Sequence, residues 1–402
     1  MKKQKLTNLF ENFLKKDEIF NDQKVLQISH LPDVVEHREE QINQIANILA
    51  PSLKFNRPSN IFIYGKTGSG KTVSMKHIAQ NMLNVADKNK LPLKIIYVNC
   101  KLKRVADTEY RIIAQLGREL GKNIPNTGLP TDEVYRIFFD VLDKKKIILL
   151  IILDEIDQLI NKAGDAVLYN LTRINEELKN SQVSIIGISN NSRFIDVVDP
   201  RVKSSLSEED ILFPPYNALQ LQDILRCRAN KAFKDNILKE GVIEKCAAYS
   251  AKEHGDARRA LDLLRVAGEV AERECSPNVN IKHIDEAESK IEHDRVLDII
   301  TTQPKQSQAT LYSILSLRSK ENTILTGQIY DIYKKLCDQT GLKTLTQRRI
   351  GDIIAELDML GIINAKVISK GRYGRTREIS LSTPNSTNNK IKQILEEGLD
   401  LL

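Results

Sequence analysis

Residues 65–72 constrain the fold of this chain more than any other segment, because they match the pattern G-x-x-x-x-G-K-[ST] at every fixed position. The residues Ile61 to Tyr64 precede the pattern and predict a buried strand, and a helix is predicted from Lys71 to about Ala86. A glycine-rich turn between a strand and a helix lets backbone N–H groups surround phosphate oxygens at the helix N-terminus. The sequence therefore predicts a nucleotide phosphate site made of Gly65, Lys66, Thr67, Gly68, Ser69, Gly70, Lys71 and Thr72.

Chemical roles follow from the residue types in and near this site. Lys71 is predicted to reach the β- and γ-phosphates of ATP, and Thr72 to place its hydroxyl on Mg²⁺. A later apolar run ends in Asp154 and Glu155. Phosphoryl transfer needs a metal anchor and a group that positions water, so we predict that Asp154 holds Mg²⁺ and that Glu155 orients or activates the attacking water. The alternative is a solvated acidic turn. The predicted cofactors are ATP or ADP and Mg²⁺.

Five short apolar runs alternate with helical patterns and predict an α/β P-loop fold, a parallel five-stranded sheet with helices on both faces. The runs are residues 61–64, 93–98, 147–153, 183–188 and 210–213. The fourth run is followed by Asn190 and Asn191. We predict that the amide of Asn190, in preference to Asn191, contacts the γ-phosphate or the attacking water. The alternative is a turn cap.

The pattern changes twice after the sheet. Helical patterns alone follow Tyr216, and a third unit then runs as three helices before two β-like stretches that flank a basic, glycine-containing segment. Three helices before such a hairpin predict a winged helix, a relative of helix-turn-helix. The predicted domains are an N-terminal arm (1–24), a nucleotide-binding core (25–216), a helical domain (217–300), a winged-helix domain (301–385) and a C-terminal tail (386–402).

Positive charge is concentrated in the winged-helix region. Residues 295–380 contain 14 lysines and arginines against 8 acidic residues, whereas residues 1–294 contain 44 against 42. This asymmetry indicates an anionic polymer as partner. The chain has no run of 18 apolar residues and no apolar signal core near Met1, and its five cysteines lie far apart. We therefore expect an intracellular protein with reduced thiols and no membrane partner.

Six motifs together resemble the AAA+ ATPases, specifically the archaeal origin-recognition and helicase-loader initiators. They lie at residues 58–72, 153–157, 188–190, 199–206, 213–216 and 255–261, and the winged-helix pattern follows them. The resemblance implies a cytoplasmic, nucleoid-associated replication initiator that binds double-stranded origin DNA and recruits the minichromosome-maintenance helicase, beside paralogous initiators. It also implies a weak ATPase used as a switch, with the helical domain as a lid over the nucleotide.

The resemblance assigns roles outside the phosphate loop. Arg258 resembles a second sensor that reaches the γ-phosphate from the lid; the alternatives are Arg259 in this role, or a surface position for Arg258. Tyr216 and Arg228 correspond to positions that line the nucleotide, with hinge packing and a solvated charge as their respective alternatives. Residues 34–38 resemble the segment that closes over the base.

Arg201 resembles an arginine finger, a cation that completes the active site of a neighbouring subunit. The alternative is a local ion pair with Asp199 or Glu208. Many relatives carry a further arginine where this chain has Ser205, so the sequence leaves the choice of finger open.

Two surfaces are predicted to contact DNA. The third helix of a winged helix enters the major groove, and here it begins with Thr346, Gln347, Arg348 and Arg349, which suit base-edge or phosphate contacts. The wing carries Lys366, Lys370, Arg372, Arg375 and Arg377, of which Lys370, Arg372 and Arg375 are the predicted contacts. The alternative is a set of solvated charges. By resemblance, a second surface lies in an insertion at residues 100–138, which opens with Lys101, Lys103 and Arg104; its alternative is ordinary core and loop.

Two other functions fit the same motifs. One is a nucleotide-gated transcription regulator, or a family paralogue with no loading role. The other is an ATPase or chaperone-like signalling module in which the wing binds protein rather than DNA.

Overall fold

The computed structural model describes residues 18–101, 108–125, 127–191, 194, 198–206, 208–318, 324–369, 375–381 and 385–401. The chain divides into two compact units, Met1–Ile284 and Asp285–Leu402. The bounds of the five predicted domains stay a prediction. Among the helices described here, none combines the length and the apolar character that a membrane crossing requires.

A parallel five-stranded sheet forms the centre of the first unit, as predicted. Its strands are β1 (Ile61–Gly65), β2 (Leu93–Asn99), β3 (Ile148–Asp154), β4 (Gln182–Ser189) and β5 (Glu209–Phe213), in the order β2-β3-β4-β1-β5. All seven residues of β3 are buried. Alternate residues of β3 belong to two separate apolar clusters, because successive side chains point to opposite faces of a sheet that is covered on both sides.

Ten α-helices accompany this sheet among the described residues of the first unit. They are α1 (Glu39–Leu49), α2 (Lys71–Asn89), α3 (Glu109–Glu119), α4 (Thr131–Lys145), α5 (Ile156–Ala163), α6 (Ala166–Arg173), α7 (Pro200–Leu206), α8 (Ala218–Ala232), α9 (Val242–Lys252) and α10 (Ala257–Arg273). We did not predict α5, α6 and α7. Each has only seven or eight residues, which is too short for a helical period to emerge from the sequence.

The described end of the predicted N-terminal arm packs on the lid helices. Ile19 and Phe20 are buried, and the ring centroids of Phe20 and Phe233 lie 4.7 Å apart. A Cβ atom on Gly268 of α10 would lie 2.4 Å from the Phe20 ring, so the glycine makes room for it. These arm residues are therefore part of the core of the first unit.

The second unit is built on a winged helix, which confirms the predicted architecture. After α11 (Ile281–Thr302), in which the boundary between the units lies, come α12 (Lys305–Arg318), β6 (Ile324–Leu325), α13 (Thr326–Thr340), α14 (Gln347–Met359), β7 (Ile363–Ser369), β8 (Arg375–Leu381) and α15 (Asn385–Gly398). The strands form an antiparallel sheet in the order β6-β8-β7.

The predicted C-terminal tail contains the helix α15. Ile391, Leu395 and Leu399 are buried in the same apolar cluster as the residues of α13 and α14. Ile391 and Leu395 are four residues apart and so lie on one face of the helix, and Leu399 follows its last residue. The segment that we predicted as a separate tail is thus largely a helix of the second unit.

Candidate nucleotide-binding site

The phosphate loop, residues 65–72, joins β1 to α2, and two of its glycines, Gly68 and Gly70, face the lid and the hinge before it. Gly68 and Gly70 have φ values of +72° and +92°, a region that side-chain-bearing residues rarely adopt. A Cβ atom on Gly68 would lie 1.8 Å from Oδ1 of Asp256, and one on Gly70 would lie 2.5 Å from the hydroxyl of Tyr216. The lid and the hinge before it therefore pack directly against the phosphate loop.

Lys71 is a buried cation inside this loop. Its Nζ donates to the carbonyl oxygens of Gly65 and Lys66, each at 2.8 Å. Burial, together with the positive charge of Arg258, lowers the pKa of Lys71 to about 8. The ammonium group is therefore poorly compensated by its surroundings, and an anionic phosphate would stabilise it.

The lowered pKa of Lys71 leads to a pH prediction. Bound phosphate favours the protonated amine, so ATP binding should raise this pKa and take up a proton above about pH 8. We expect the contribution of Lys71 to ATP affinity to be constant below about pH 8 and to fall by up to about tenfold per pH unit above it. A fluorescent ATP titration across that range checks this, with calorimetry in two buffers to count protons. Lys71→Arg should lose this pH dependence, since arginine stays charged; a flat wild-type profile would contradict the prediction.

The carboxylate of Asp154 stands at the end of β3, beside the first turn of α2. Its Oδ2 accepts hydrogen bonds from Thr72 Oγ1 at 2.9 Å and from the Tyr97 hydroxyl at 2.6 Å. Its Oδ1 accepts from the backbone N–H of Glu155 at 3.0 Å. Burial, together with the hydrogen bond to Asp154, raises the pKa of Tyr97, so its phenol is the donor at neutral pH. The structure thus brings Thr72 and Asp154 together as predicted.

Glu155 occupies a strained position directly after β3. Its φ is +55°, the left-handed region, and its carboxylate lies 3.8 Å from Nζ of Lys101. Asp154 and Glu155 both line the cavity described below. A non-glycine residue in this conformation is uncommon and is found disproportionately at functional sites.

The end of β4 is tied to the segment after β3, but Asn190 lies apart from the cavity. Ser189 Oγ donates to Oδ1 of Asp157 at 2.9 Å and accepts from the N–H of Asn191 at 3.0 Å. Asn190 is exposed, and the described residues that line the cavity do not include it. Its role toward the γ-phosphate or the attacking water stays a prediction.

The lid contributes the N-terminus of α10 to the site. Asp256 caps this helix by accepting from the N–H of Arg258 at 2.8 Å, and the N–H of Ala257 donates to the carbonyl of Gly68 at 3.3 Å. Arg258 lines the cavity near Lys71, as its effect on the pKa of that lysine indicates. Arg259 instead forms an ion pair with Glu253 at 2.8 Å, which favours Arg258 as the sensor candidate.

A cavity of about 520 Å³ opens between the phosphate loop, the segment 27–36 and the lid helices α8 and α10. Part of its lining is apolar and suits a flat base: Ile28, Leu31, Val34, Val35, Ile224 and Leu261. Arg228 also lines it, and its Nη1 donates to the carbonyl of Val25 at 3.2 Å. Burial lowers the pKa of Arg228, which favours a place in the cavity wall over the alternative of a solvated charge.

Arg38 links three segments beside this cavity. Its guanidinium donates to the carbonyls of Ser69 at 2.8 Å and Pro214 at 2.5 Å, and it lies 3.8 Å from the ring centroid of Tyr216. Arg38 is 2% exposed and Tyr216 is 4% exposed. Because the guanidinium covers one face of the Tyr216 ring, the geometry favours the hinge-packing alternative for this tyrosine, although Tyr216 also lines the cavity.

Arg201 lies away from this cavity, on an exposed surface. Its guanidinium pairs with both carboxylate oxygens of Asp199, at 3.1 and 3.0 Å, and lies 5.0 Å from the ring centroid of Tyr169. The local ion pair with Asp199, the alternative to a finger role, is thus present. A finger role in a neighbouring subunit stays a prediction.

The helix α14 of the second unit presents the predicted DNA-contacting residues to solvent. Thr346 caps the helix and accepts from the N–H of Arg349, and Thr346, Gln347, Arg348 and Arg349 are all solvent-accessible. Arg377 of β8 donates instead to the carbonyl of Gly351 on α14, an internal contact. Lys103, Arg104, Lys370 and Arg372 lie outside the described residues, as does the side chain of Arg375.

Comparison with known protein families finds a match for the core, for the lid and for the winged helix. Residues 56–193 match the AAA domain family, residues 222–289 the Cdc6 AAA+ ATPase-type lid domain, and residues 298–390 the CDC6 C-terminal winged helix domain. The chain is 52% identical to an ORC1-type DNA replication protein of Pyrococcus abyssi, covering 97% of this chain and 93% of the relative. It is 50% identical to ORC1-type DNA replication protein 1 of Methanosarcina acetivorans, covering 97% and 94%. This chain belongs to the ORC1-type DNA replication proteins.

A solved relative extends the ORC1-type assignment to the fold. The structure of the Aeropyrum pernix ORC1 protein in complex with DNA superposes with a TM-score of 0.81 at 42% identity, covering 95% of this chain and 98% of that one. The predicted family, the AAA+ core with its lid and the C-terminal winged helix are therefore confirmed.

Three residues of this ORC1-type site escaped the sequence analysis as individual contributors: Arg38, Tyr97 and Asp256. The position of Tyr97 near the end of an apolar run could have indicated its place, since neighbouring parallel strands bring their C-terminal ends to one edge of the sheet. Using it required knowing that β2 lies next to β3, where Asn99 pairs in register with Asp154. That strand order was not part of the prediction.

Proposed function

We propose that this ORC1-type protein is an ATP-dependent replication initiator that binds duplex origin DNA and recruits or loads the minichromosome-maintenance helicase. The observation that carries the proposal is the convergence of the phosphate loop, Asp154, Glu155 and the lid residue Arg258 on one cavity, in a chain that also has a winged helix. A cavity whose wall is shared between the core and the lid helices suits a switch in which nucleotide state controls DNA binding.

The residues present fit a Mg²⁺ ion beside the nucleotide. The Thr72 hydroxyl and the Asp154 carboxylate lie 2.9 Å apart, and both supply the hard oxygen ligands that Mg²⁺ prefers. Thr72 and Asp154 would hold the ion, which supplies charge neutralisation at the phosphates when bound. Lys71 would bind the β- and γ-phosphates, and Gly68 and Gly70 allow the loop to turn its N–H groups toward them.

We infer a weak ATPase from the placement of Glu155 and Arg258. Glu155 would orient the water that attacks the γ-phosphate, and Arg258 would bind that phosphate from α10. Loss of the γ-phosphate on hydrolysis would then release the lid. Asn190 would assist at the water, and Arg201 would act in trans on a neighbouring subunit or a paralogous initiator. Slow or single-turnover hydrolysis then serves as a switch rather than as a motor.

DNA binding by the second unit is supported by the solvent-accessible residues Thr346 to Arg349 at the start of α14 and by the fold shared with a relative solved in complex with DNA. The insertion at residues 100–138, in the first unit, and the wing, in the second unit, would each add contacts to DNA. The protein would then act on origin DNA in the cytoplasm, associated with the nucleoid.

A charge-removal variant tests the DNA surface. Arg348→Ala/Arg349→Ala should weaken binding to an origin duplex by about 10- to 100-fold. The dependence of log K on log salt concentration should become shallower by the amount that about one to two lost phosphate contacts account for. The control is Lys144→Ala/Lys145→Ala, which removes the same charge from the exposed end of α4 and should bind like wild type. Equal losses in both variants, or none in either, would count against α14 as the DNA-reading helix.

A binding map separates the proposed function from its rivals. Chromatin immunoprecipitation should place this protein at replication origins, and footprinting should protect duplex DNA there only with ATP. Peaks confined to promoters, with normal origin firing in a deletion strain, would identify a transcription regulator or a non-loading paralogue. Absence of salt-sensitive DNA binding would identify a signalling module whose wing binds protein.

A further inference from the structure

Tyr97 lies outside every phosphate-binding motif of the chain, yet it reaches the carboxylate at the centre of the site. It belongs to β2, the edge strand next to β3, and pairs in register with Ile152, two residues before Asp154. Its side chain extends along the sheet so that its hydroxyl donates to Oδ2 of Asp154 at 2.6 Å. Both residues line the cavity.

The hydroxyl of Tyr97 completes the hydrogen bonding of this carboxylate. Thr72 and Tyr97 donate to Oδ2 at 2.9 and 2.6 Å, and the N–H of Glu155 donates to Oδ1 at 3.0 Å. Asp154 is only 5% exposed, so these donors rather than solvent fix the orientation of its side chain. The Thr72 hydroxyl would itself turn to a metal, which leaves Tyr97 as the side-chain donor that keeps holding Oδ2.

Tyr97 is in turn held against the helix that follows the phosphate loop. Nζ of Lys76 lies 4.6 Å from the centroid of the Tyr97 ring, within cation–π range. Lys76 stands on α2 one turn after Thr72, and it lines the cavity as well. The phenol therefore couples three elements of the site: β2, the start of α2 and the end of β3.

We propose that Tyr97 is a positioning residue for Mg²⁺, which holds the Asp154 carboxylate in the orientation that the ion requires. The proposal rests on the function proposed above, namely that this site binds Mg²⁺ with ATP. Hydrogen-bond partners of metal ligands orient those ligands, and their loss commonly weakens metal affinity by about 10- to 100-fold.

The variant Tyr97→Phe tests this by removing one oxygen atom from a partly exposed side chain. The readout is the affinity for a fluorescent ATP analogue, measured with excess Mg²⁺ and with EDTA in its place. We expect affinity in EDTA to stay within about twofold of wild type, and the Mg²⁺ concentration for half-maximal tightening to rise by about tenfold. In an Asp154→Asn background, Tyr97→Phe should have no further effect on the metal dependence.

Tyr312→Phe is the matched control, because the Tyr312 hydroxyl also donates to a carboxylate, that of Glu396 at 3.1 Å, in the second unit. It should leave both affinities unchanged. An unchanged Mg²⁺ dependence in Tyr97→Phe would overturn the proposal, and so would an equal loss of affinity in EDTA or a tighter metal response. If the wild-type protein itself shows no Mg²⁺-dependent ATP binding, the proposed function fails instead.

Discussion

Replacement of Glu155 by glutamine is expected to abolish most ATP turnover while ATP binding is retained. An amide has the shape of the carboxylate but cannot accept the proton of the attacking water, and such general-base roles contribute about 10²- to 10⁴-fold to rates. The side chain lies at the cavity wall beside Asp154, so its replacement leaves the phosphate loop intact. Single-turnover hydrolysis should therefore slow by at least about 100-fold, whereas the dissociation constant of a fluorescent ATP analogue should change by less than about twofold.

Glu244→Gln provides a control for this substitution. Glu244 is a glutamate in an ion pair, 2.7 Å from Arg226 in the lid helices, and it does not line the cavity. Its variant should hydrolyse ATP at the wild-type rate. Undiminished turnover in Glu155→Gln would mean that another group positions the water, and loss of ATP binding would mean that Glu155 supports the pocket rather than the reaction.

Alanine at Gly68 should disconnect the lid from the phosphate loop. Its Cβ would lie 1.8 Å from Oδ1 and 2.9 Å from Cα of Asp256, so the N-terminus of α10 must move away from the loop. Arg258 lies two residues after Asp256 and would withdraw from the γ-phosphate with it. We expect ATP affinity to fall by about 30-fold or more, since about 2 kcal/mol of strain and lost lid contact corresponds to that ratio.

The matched control for this contact is Gly341→Ala. Gly341 has a similar φ of +68° in the left-handed region, but no heavy atom of the described residues would lie within 4 Å of an added Cβ atom, so only the backbone strain is reproduced. Both variants should lose about 1 to 2 kcal/mol of unfolding free energy, and only Gly68→Ala should lose ATP affinity. Equal ATP affinity in the two variants would show that the lid does not need its contact with Gly68 to bind nucleotide.

Much of the fold was predictable because local patterns encode it. Each of the five strands of the sheet was predicted to within two residues at either end, since a buried strand appears as a short apolar run between turns. The prediction of the second unit was less complete, because it left out the helix α15. The apolar residues Ile391, Leu395 and Leu399 show a helical period, but a helix there is stable only by packing on the core of that unit.

The candidate site divides in the same way. Asp154 and Thr72 were predicted to meet because each belongs to a motif with a known place in a P-loop sheet. Asn190 and Arg201 rest on motif position as well, yet the structure leaves Asn190 exposed outside the cavity and pairs Arg201 with Asp199. A motif locates a residue on an element, but it does not say toward which side of a loop the side chain turns.

By itself, the sequence determined the phosphate loop, the alternating sheet, the lid and winged-helix order and the family, because periodicity and motifs are properties of neighbouring residues. Only the tertiary structure decided that Tyr97 holds Asp154, 57 residues later, and that Arg38 holds Pro214, 176 residues later. It also decided that Asp256 rests on Gly68. These contacts depend on the order of the strands and on the position of the lid against the phosphate loop. Packing between distant segments determines both, and no local sequence pattern encodes them.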